Sequence, residues 1–218
     1  MPPSDTSTTP ATSAAQQETA RVKAIYDQHA DTYDGSITFF ERVFFGGGRA
    51  WACGQAHGEV LEIAIGTGRN LPYYPADVTL IGIDLSPAML EHARRRAATL
   101  GRAVTLLEGD VQSLPCADGS FDTVVSTLTL CSIPDEQRAV REVWRVLRPG
   151  GRFVALEHVG SPQPIVRGVE RLLEPLAIRF QGDHLLREPA AVAQGAGFTV
   201  ERVERSHLGI VERLVARR

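Results

Sequence analysis

The chain is poor in aromatic residues (6%) and holds only three cysteines, two methionines and two tryptophans among 218 residues. Cys53, Cys116 and Cys131 are odd in number and lack the close spacing of a metal site, so neither a disulfide framework nor a bound metal is expected. Such cysteine usage suits a reducing, cytoplasmic setting. No apolar run reaches the ~20 residues of a transmembrane helix, so no integral membrane segment is expected. The first residues have neither the basic start nor the apolar stretch of a secretory signal. Excess positive charge is also missing. A net charge of −3 and a pI near 6.1 leave no electrostatic footprint for nucleic acid. With 43% hydrophobic residues, the length suits one domain with an ample core.

What is present is a strand that breaks at two glycines. The stretch Glu59-Val60-Leu61-Glu62-Ile63-Ala64-Ile65-Gly66-Thr67-Gly68-Arg69-Asn70 starts with apolar, strand-forming residues and ends in a Gly-x-Gly turn. That is the pattern of a buried strand entering a tight turn and then a helix. Glycine allows the sharp turn and a close approach to a ligand, and a helix start would add free N–H groups. Residues 78–84 read as a second apolar strand, whose terminal Asp84 follows the turn by roughly the 20 residues expected of a ribose-binding acid. Residues 104–110 read as a third strand ending in Asp110. Together the three strands would bring the glycines, Asp84 and Asp110 to one edge of a parallel sheet.

The cofactor follows from a mismatch. A dinucleotide fingerprint asks for Gly-x-Gly-x-x-Gly or Ala, whereas the third position here is Leu71, followed by Pro72. That argues against an NAD-dependent oxidoreductase. Glu62 adds an acid near the turn, which suits a cationic ligand better than a diphosphate. S-adenosylmethionine (SAM) fits, with its ribose diol, adenine amine, ammonium and sulfonium and no phosphate.

With Glu62-x-Ala64-x-Gly66-x-Gly68, Asp84 and Asp110 in place, residues 20–218 resemble the class I SAM-dependent methyltransferases. The family often has Gly where this chain has Ala64; alanine is expected to fit there with φ negative. The resemblance implies a Rossmann-like α/β fold: a seven-stranded, mostly parallel sheet with helices on both faces, the last strand antiparallel and an N-terminal helical cap. It also implies that Gly66, Thr67, Gly68, Leu85, Met89, Val111 and Thr127 bind the cofactor with Glu62 and Asp84, and that Asp110 reads the adenine. Tyr-x-x-x-Ala-x-x-Tyr-Asp, at Tyr26, Ala30, Tyr33 and Asp34, resembles the cap of ubiquinone/menaquinone-type methyltransferases, so Tyr26 and Tyr33 are expected over the cofactor.

In chain order, residues 1–15 are Ser, Thr, Pro and Ala with one charge, a composition expected to be disordered. A single domain then spans 16–218, with a helical cap at 16–52 and a helical insertion at 163–180. Tyr26, His29, Ala30 and Tyr33 share one helical face. Residues 36–52 hold an aromatic cluster, for core or pocket wall, interrupted by Gly46-Gly47-Gly48. Ser86 should cap a helix begun by Pro87, burying Met89, Ala93, Ala97 and Leu100, with Arg94, Arg95 and Arg96 solvated. Residues 121–127 form the fourth strand. A helix opened by Pro134 stops at Pro149-Gly150-Gly151, and Phe153 begins the fifth strand. The helix at 163–180 sets Arg167, Arg171 and Arg179 opposite apolar residues, a pattern for packing on the sheet or for a membrane surface. Residues 198–205 and 210–216 alternate as a closing hairpin would.

Ligands of open α/β sheets bind beyond the carboxyl ends of the strands. His158, at the end of strand five, is therefore the leading general base, ahead of His29 and His184. Thr129-Leu130-Cys131-Ser132, Arg148-Pro149-Gly150-Gly151, Glu157-His158-Val159 and Gly182-Asp183-His184-Leu185-Leu186-Arg187-Glu188 resemble the small-molecule thiol methyltransferase branch, without that branch's N-terminal membrane anchor. The expected function is methyl transfer from SAM to a small-molecule acceptor, with a thiol first. O-, N- or C-methylation of a natural product, quinone or phospholipid headgroup is the alternative, and a SAM-binding accessory protein is the non-enzymatic one.

Overall fold

The computed structural model describes residues 13–218; most of the segment expected to be disordered lies outside them. Seven strands form one sheet in the order β3-β2-β1-β4-β5-β7-β6. These are β1 (Glu59–Ile63), β2 (Thr79–Asp84), β3 (Thr105–Glu108), β4 (Phe121–Thr127), β5 (Leu147–His158), β6 (Thr199–Ser206) and β7 (Val211–Arg217). The first five are parallel, and β7 runs antiparallel to both β5 and β6. The chain moves outward from β1 to β3 and then returns to place β4 on the other side of β1. That reversal is a topological switch point, where α/β sheets open a crevice for ligands.

The central strands are apolar on both faces because helices cover both. On one face Leu61, Ile63, Val124 and Phe153 pack against α4 (Glu136–Val146) and α6 (Pro189–Gly195). On the other, Val60, Val125, Val154 and Leu156 meet α2 (Gly48–Cys53), while Leu80 joins the same cluster as α3 (Pro87–Leu100). The N-terminal cap is one long helix, α1 (Ala14–Phe44), started by a capping box between Ser13 and Gln16. Gly47, at φ 70°, makes the turn into α2. The insertion is α5 (Pro164–Gln181), closed by left-handed Gly182. No helix among the described residues is long and apolar enough to cross a membrane.

Some local expectations change. Only a three-residue 3-10 turn (Leu71–Tyr73) follows the glycine turn, not an α-helix; Pro72 and Pro75 prevent one from propagating. Helix α4 starts after Asp135, whose side chain accepts from the Arg138 N–H at 2.9 Å, rather than at Pro134. Strand β5 already begins at Leu147, opposite Phe121, and Pro149-Gly150-Gly151 bulges out before pairing resumes at Arg152. Leu100 is 46% exposed, and Leu90 takes its expected place in the buried face of α3.

Candidate active site

Two adjoining cavities open at the carboxyl ends of the strands. The first lies at the switch point between the turn after β1 and the end of β4. Its walls include Gly66, Thr67, Asp84, Leu85, Met89 and Asp110. Val111, Thr127, Tyr26 and Tyr33 complete the predicted residues that line it. Glu62 and Gly68, also expected to bind the cofactor, stand behind this wall. Glu62 is buried and accepts from Asn70 Nδ2 at 2.8 Å. Gly68 has room for no side chain: a Cβ there would meet Leu71 at 2.9 Å and Ala93 at 3.2 Å, so its role is to seat the turn against α3.

Asp84 is held in a fixed pose. One carboxylate oxygen accepts from the Gly66 N–H and the other from the Ser86 N–H, each at 2.8 Å. Ser86 in turn caps α3 by accepting from the Met89 N–H. Each Asp84 oxygen keeps a free lone pair toward the cavity. Burial pushes its carboxyl up to about 6, against those two main-chain bonds. Asp110 is oriented by Gln112, through both its main-chain N–H and its side-chain amide.

The turn carries a surprise. Ala64 sits at φ 47°, in the left-handed region, not at the negative φ expected of alanine. The Ile65 N–H, bonded to the Ile83 carbonyl, holds the next residue to β2 and so fixes the bend. Left-handed geometry costs a residue with a Cβ about 1–2 kcal/mol, part of which glycine gives back through its freer unfolded chain. Ala64→Gly should therefore raise stability by roughly 0.5–1 kcal/mol, a rise of a few degrees in Tm. A melting curve at or below that of the parent would show that the bend is not strained.

Sequence reasoning missed the polar lattice that pins the cap. Asp34, on α1, accepts from Thr67 Oγ1 at 2.7 Å and pairs with Arg96 and Arg69. Burial raises its pKa, but the bonds from Thr67 and Arg96 outweigh it and leave it below the ordinary value. Arg96 is thus not solvated as expected; it also donates to the Thr67 carbonyl at 2.8 Å. Arg49, from α2, lines the first cavity and donates to Asn70 Oδ1, Thr127 Oγ1 and Glu41. No local motif marks Arg49, because the fold alone carries α2 to the end of β4.

The second cavity is larger and mostly apolar. Ile37, Phe40 and Leu185 line it, and His29, His158 and Asp183 are among its polar groups, with Ser36 and Gln181. Tyr26, Tyr33 and Leu128 face both cavities and form the partition between them. Their two tyrosine rings lie 6.3 Å apart. Leu128, directly after β4, is held at φ 56° with its N–H on the Leu156 carbonyl. His158 Nδ1 is buried there with no partner among the described residues, and burial lowers the pKa of the ring below 6.5. Its neutral imidazole can accept a proton at pH 7. Asp183, a polar group that sequence reasoning did not single out, lies with one oxygen 3.9 Å from Cys131 Sγ, and burial pushes it up to about 6. His184 does not line either cavity; its N–H bonds the Cys131 carbonyl. Cys131 is buried, and burial raises its thiol well above the ordinary range, as expected of a packing residue.

The donor set suits a ligand with hydroxyl and cationic groups. Asp84 and Asp110 place carboxylate acceptors on the first cavity's wall, and Glu62 is buried behind it. Burial pushes Glu62 up to about 7. Asp84 can take a ribose diol and Asp110 an exocyclic amine. Arg49, on the wall of the same cavity, can hold a carboxylate.

Residues 61–155 match the methyltransferase domain family. A thiol S-methyltransferase of Homo sapiens is 35% identical over 147 residues, 64% of this chain and 59% of that protein. A phosphatidylethanolamine N-methyltransferase of Cereibacter sphaeroides is 36% identical over 118 residues, covering 53% and 58%. A demethylmenaquinone methyltransferase of Thermus thermophilus is 35% identical over 131 residues, covering 59% and 60%. The chain thus matches 58–60% of the length of these three relatives. Among solved structures, a SAM-dependent methyltransferase of Thermotoga maritima, described as a possible histamine N-methyltransferase, shares the fold. It has a TM-score of 0.68 and 21% identity, and the match covers 89% of this chain and 98% of that one.

Proposed function

We propose, from the premise that this chain carries a class I SAM-dependent methyltransferase domain, that it methylates a small-molecule acceptor held in the second cavity, and that the acceptor is a thiol. The observation that carries the reading is the partition of Tyr26, Tyr33 and Leu128 between a cavity lined by Asp84 and Asp110 and a cavity lined by His158 and Asp183. SAM, when bound, supplies a methyl carbon already activated by its sulfonium.

The protein's part is positioning, exclusion of water and proton removal. Asp84 and Asp110 fix the cofactor end. Asp34 ties the cap to the glycine turn, so Tyr26 and Tyr33 stay over the partition. His158 accepts the acceptor's proton, with Asp183 as a second base on the same cavity.

The strength of these bases favours a thiol over an alcohol. Moving a proton from a thiol of pKa about 8.5 to a base near 6, as at Asp183, is uphill by about 2.5 units, or ~3 kcal/mol. A hydroxyl with a pKa near that of water, about 15.7, would be uphill by about 10 units, or ~13 kcal/mol. The relatives include a thiol S-methyltransferase, which agrees with this choice. The test is a panel of small thiols, amines, alcohols and quinols offered with labelled SAM. Label transfer to thiols well above the other classes is expected. Transfer to amines or quinols alone would move the acceptor to the N- or C-methylating type, and SAM binding without transfer to any class would leave a binding protein.

A further inference from the structure

Helix α5 is inside out. Ile165, Val169, Leu172, Leu173, Leu176 and Phe180 recur at helical spacing and form one apolar stripe, yet Ile165 is 84%, Leu172 77% and Phe180 64% exposed. The polar face is the one turned to the protein. Glu170 is buried and accepts from the Ser161 N–H at 2.8 Å, while Arg167 pairs with Glu188 at 2.8 Å. Other exposed apolar residues lie on neighbouring elements. Phe39 and Val43, exposed on α1, belong to the helix that walls the second cavity, and exposed Leu208 is joined to the start of α5 through Ser161, whose Oγ donates to the Leu208 carbonyl. Single exposed apolar residues are ordinary; a stripe six residues long marks an interaction site.

We infer that this stripe docks on an anionic lipid bilayer. Charge selects that occupant. Arg171 and Arg179 are exposed on α5, as is Arg42 between Phe39 and Val43, and none of the three has a carboxylate partner among the described residues. A second copy pairing stripe to stripe would bring these arginines against each other, whereas anionic headgroups neutralise them. The stripe also ends at Phe180, which lines the second cavity beside Ile37 and Phe40. An acceptor dissolved in the bilayer would therefore reach His158 without crossing water. That route rests on the proposed reaction; the docking itself does not.

Vesicle flotation of the full chain tests the inference. The chain should float with vesicles of equal parts phosphatidylcholine and phosphatidylglycerol, less so at high salt, and only weakly with pure phosphatidylcholine. Leu172→Glu with Leu176→Glu, both on the exposed stripe, should reduce binding at least ~10-fold while melting temperature and SAM affinity stay at parental values. Arg171→Glu with Arg179→Glu should remove the preference for anionic vesicles. The inference is overturned if the parent chain does not float, or if the stripe variant floats equally well. It is also overturned if light scattering shows a parental dimer that the stripe variant splits, since the stripe would then belong to a second copy.

Discussion

Replacing Asp84 with alanine should weaken SAM binding by ~2–4 kcal/mol, the size of losing charge-assisted hydrogen bonds to a ligand. The side chain ends β2, faces the first cavity and is locked by the Gly66 and Ser86 N–H groups. Its two remaining lone pairs can accept from a ribose diol. The same geometry predicts a pH dependence. Burial holds the carboxyl at about 6 in the structure described, so below pH 6 it is protonated and loses acceptor strength. Affinity should be highest above pH 6 and fall as pH drops through it. The sign is opposite for the fold itself: a carboxyl raised from its unfolded value favours the folded state at low pH and loses that contribution as pH rises through 6. Calorimetry on folded protein decides the matter. Parental affinity in Asp84→Ala, or a parental pH profile in Asp84→Asn, would remove Asp84 from the cofactor site.

His158→Ala should lower turnover by ~10²-fold or more while SAM affinity barely changes. The ring lines the second cavity, its Nδ1 has no partner among the described residues, and burial lowers its pKa, so it is neutral at pH 7. A buried nitrogen left without a bond is expected to find one in the acceptor. The loss should shrink as pH rises, because a thiol then ionises without help. Asp183→Asn on the same background should remove what remains of the acid-side dependence near pH 6, the value to which burial lifts Asp183. Unchanged turnover in a folded His158→Ala protein would falsify the assignment and leave orientation as the source of rate. Loss of SAM binding along with turnover would mean that His158 supports the wall and does not act on the acceptor.

Much of the molecule is legible without coordinates, for identifiable reasons. The run before Gly66 reads as a strand because both faces of β1 are covered, so Val60 and the pair Leu61 and Ile63 are apolar on opposite faces. Asp84 and Asp110 stand out because a carboxylate ending an apolar strand must leave the core at the strand's carboxyl edge. Ser86 and Pro87 mark the start of α3 because capping is local chemistry. Other features were illegible because their partners are distant in sequence. Arg96 reads as part of a solvated basic run until α1 brings Asp34 to it. Asp183 is one residue of a family-like stretch, with no role of its own, until the turn after α5 sets it beside Cys131. A bend such as that at Ala64 depends on what its neighbours bond to, so its φ cannot be read from residue type.

By itself, then, the sequence determined the alternation of strands and helices, the glycine turn and the two strand-end acids, because periodicity, capping and turn chemistry act within a few residues. Tertiary structure decided which charges meet, how the cap is tied down by Asp34 and Arg49, and that Tyr26, Tyr33 and Leu128 separate two cavities. It also decided the direction in which α5 faces. An amphipathic pattern fixes that a helix has two faces, but only packing fixes which one is turned to the protein, and here Glu170 and Arg167 hold the polar face inward.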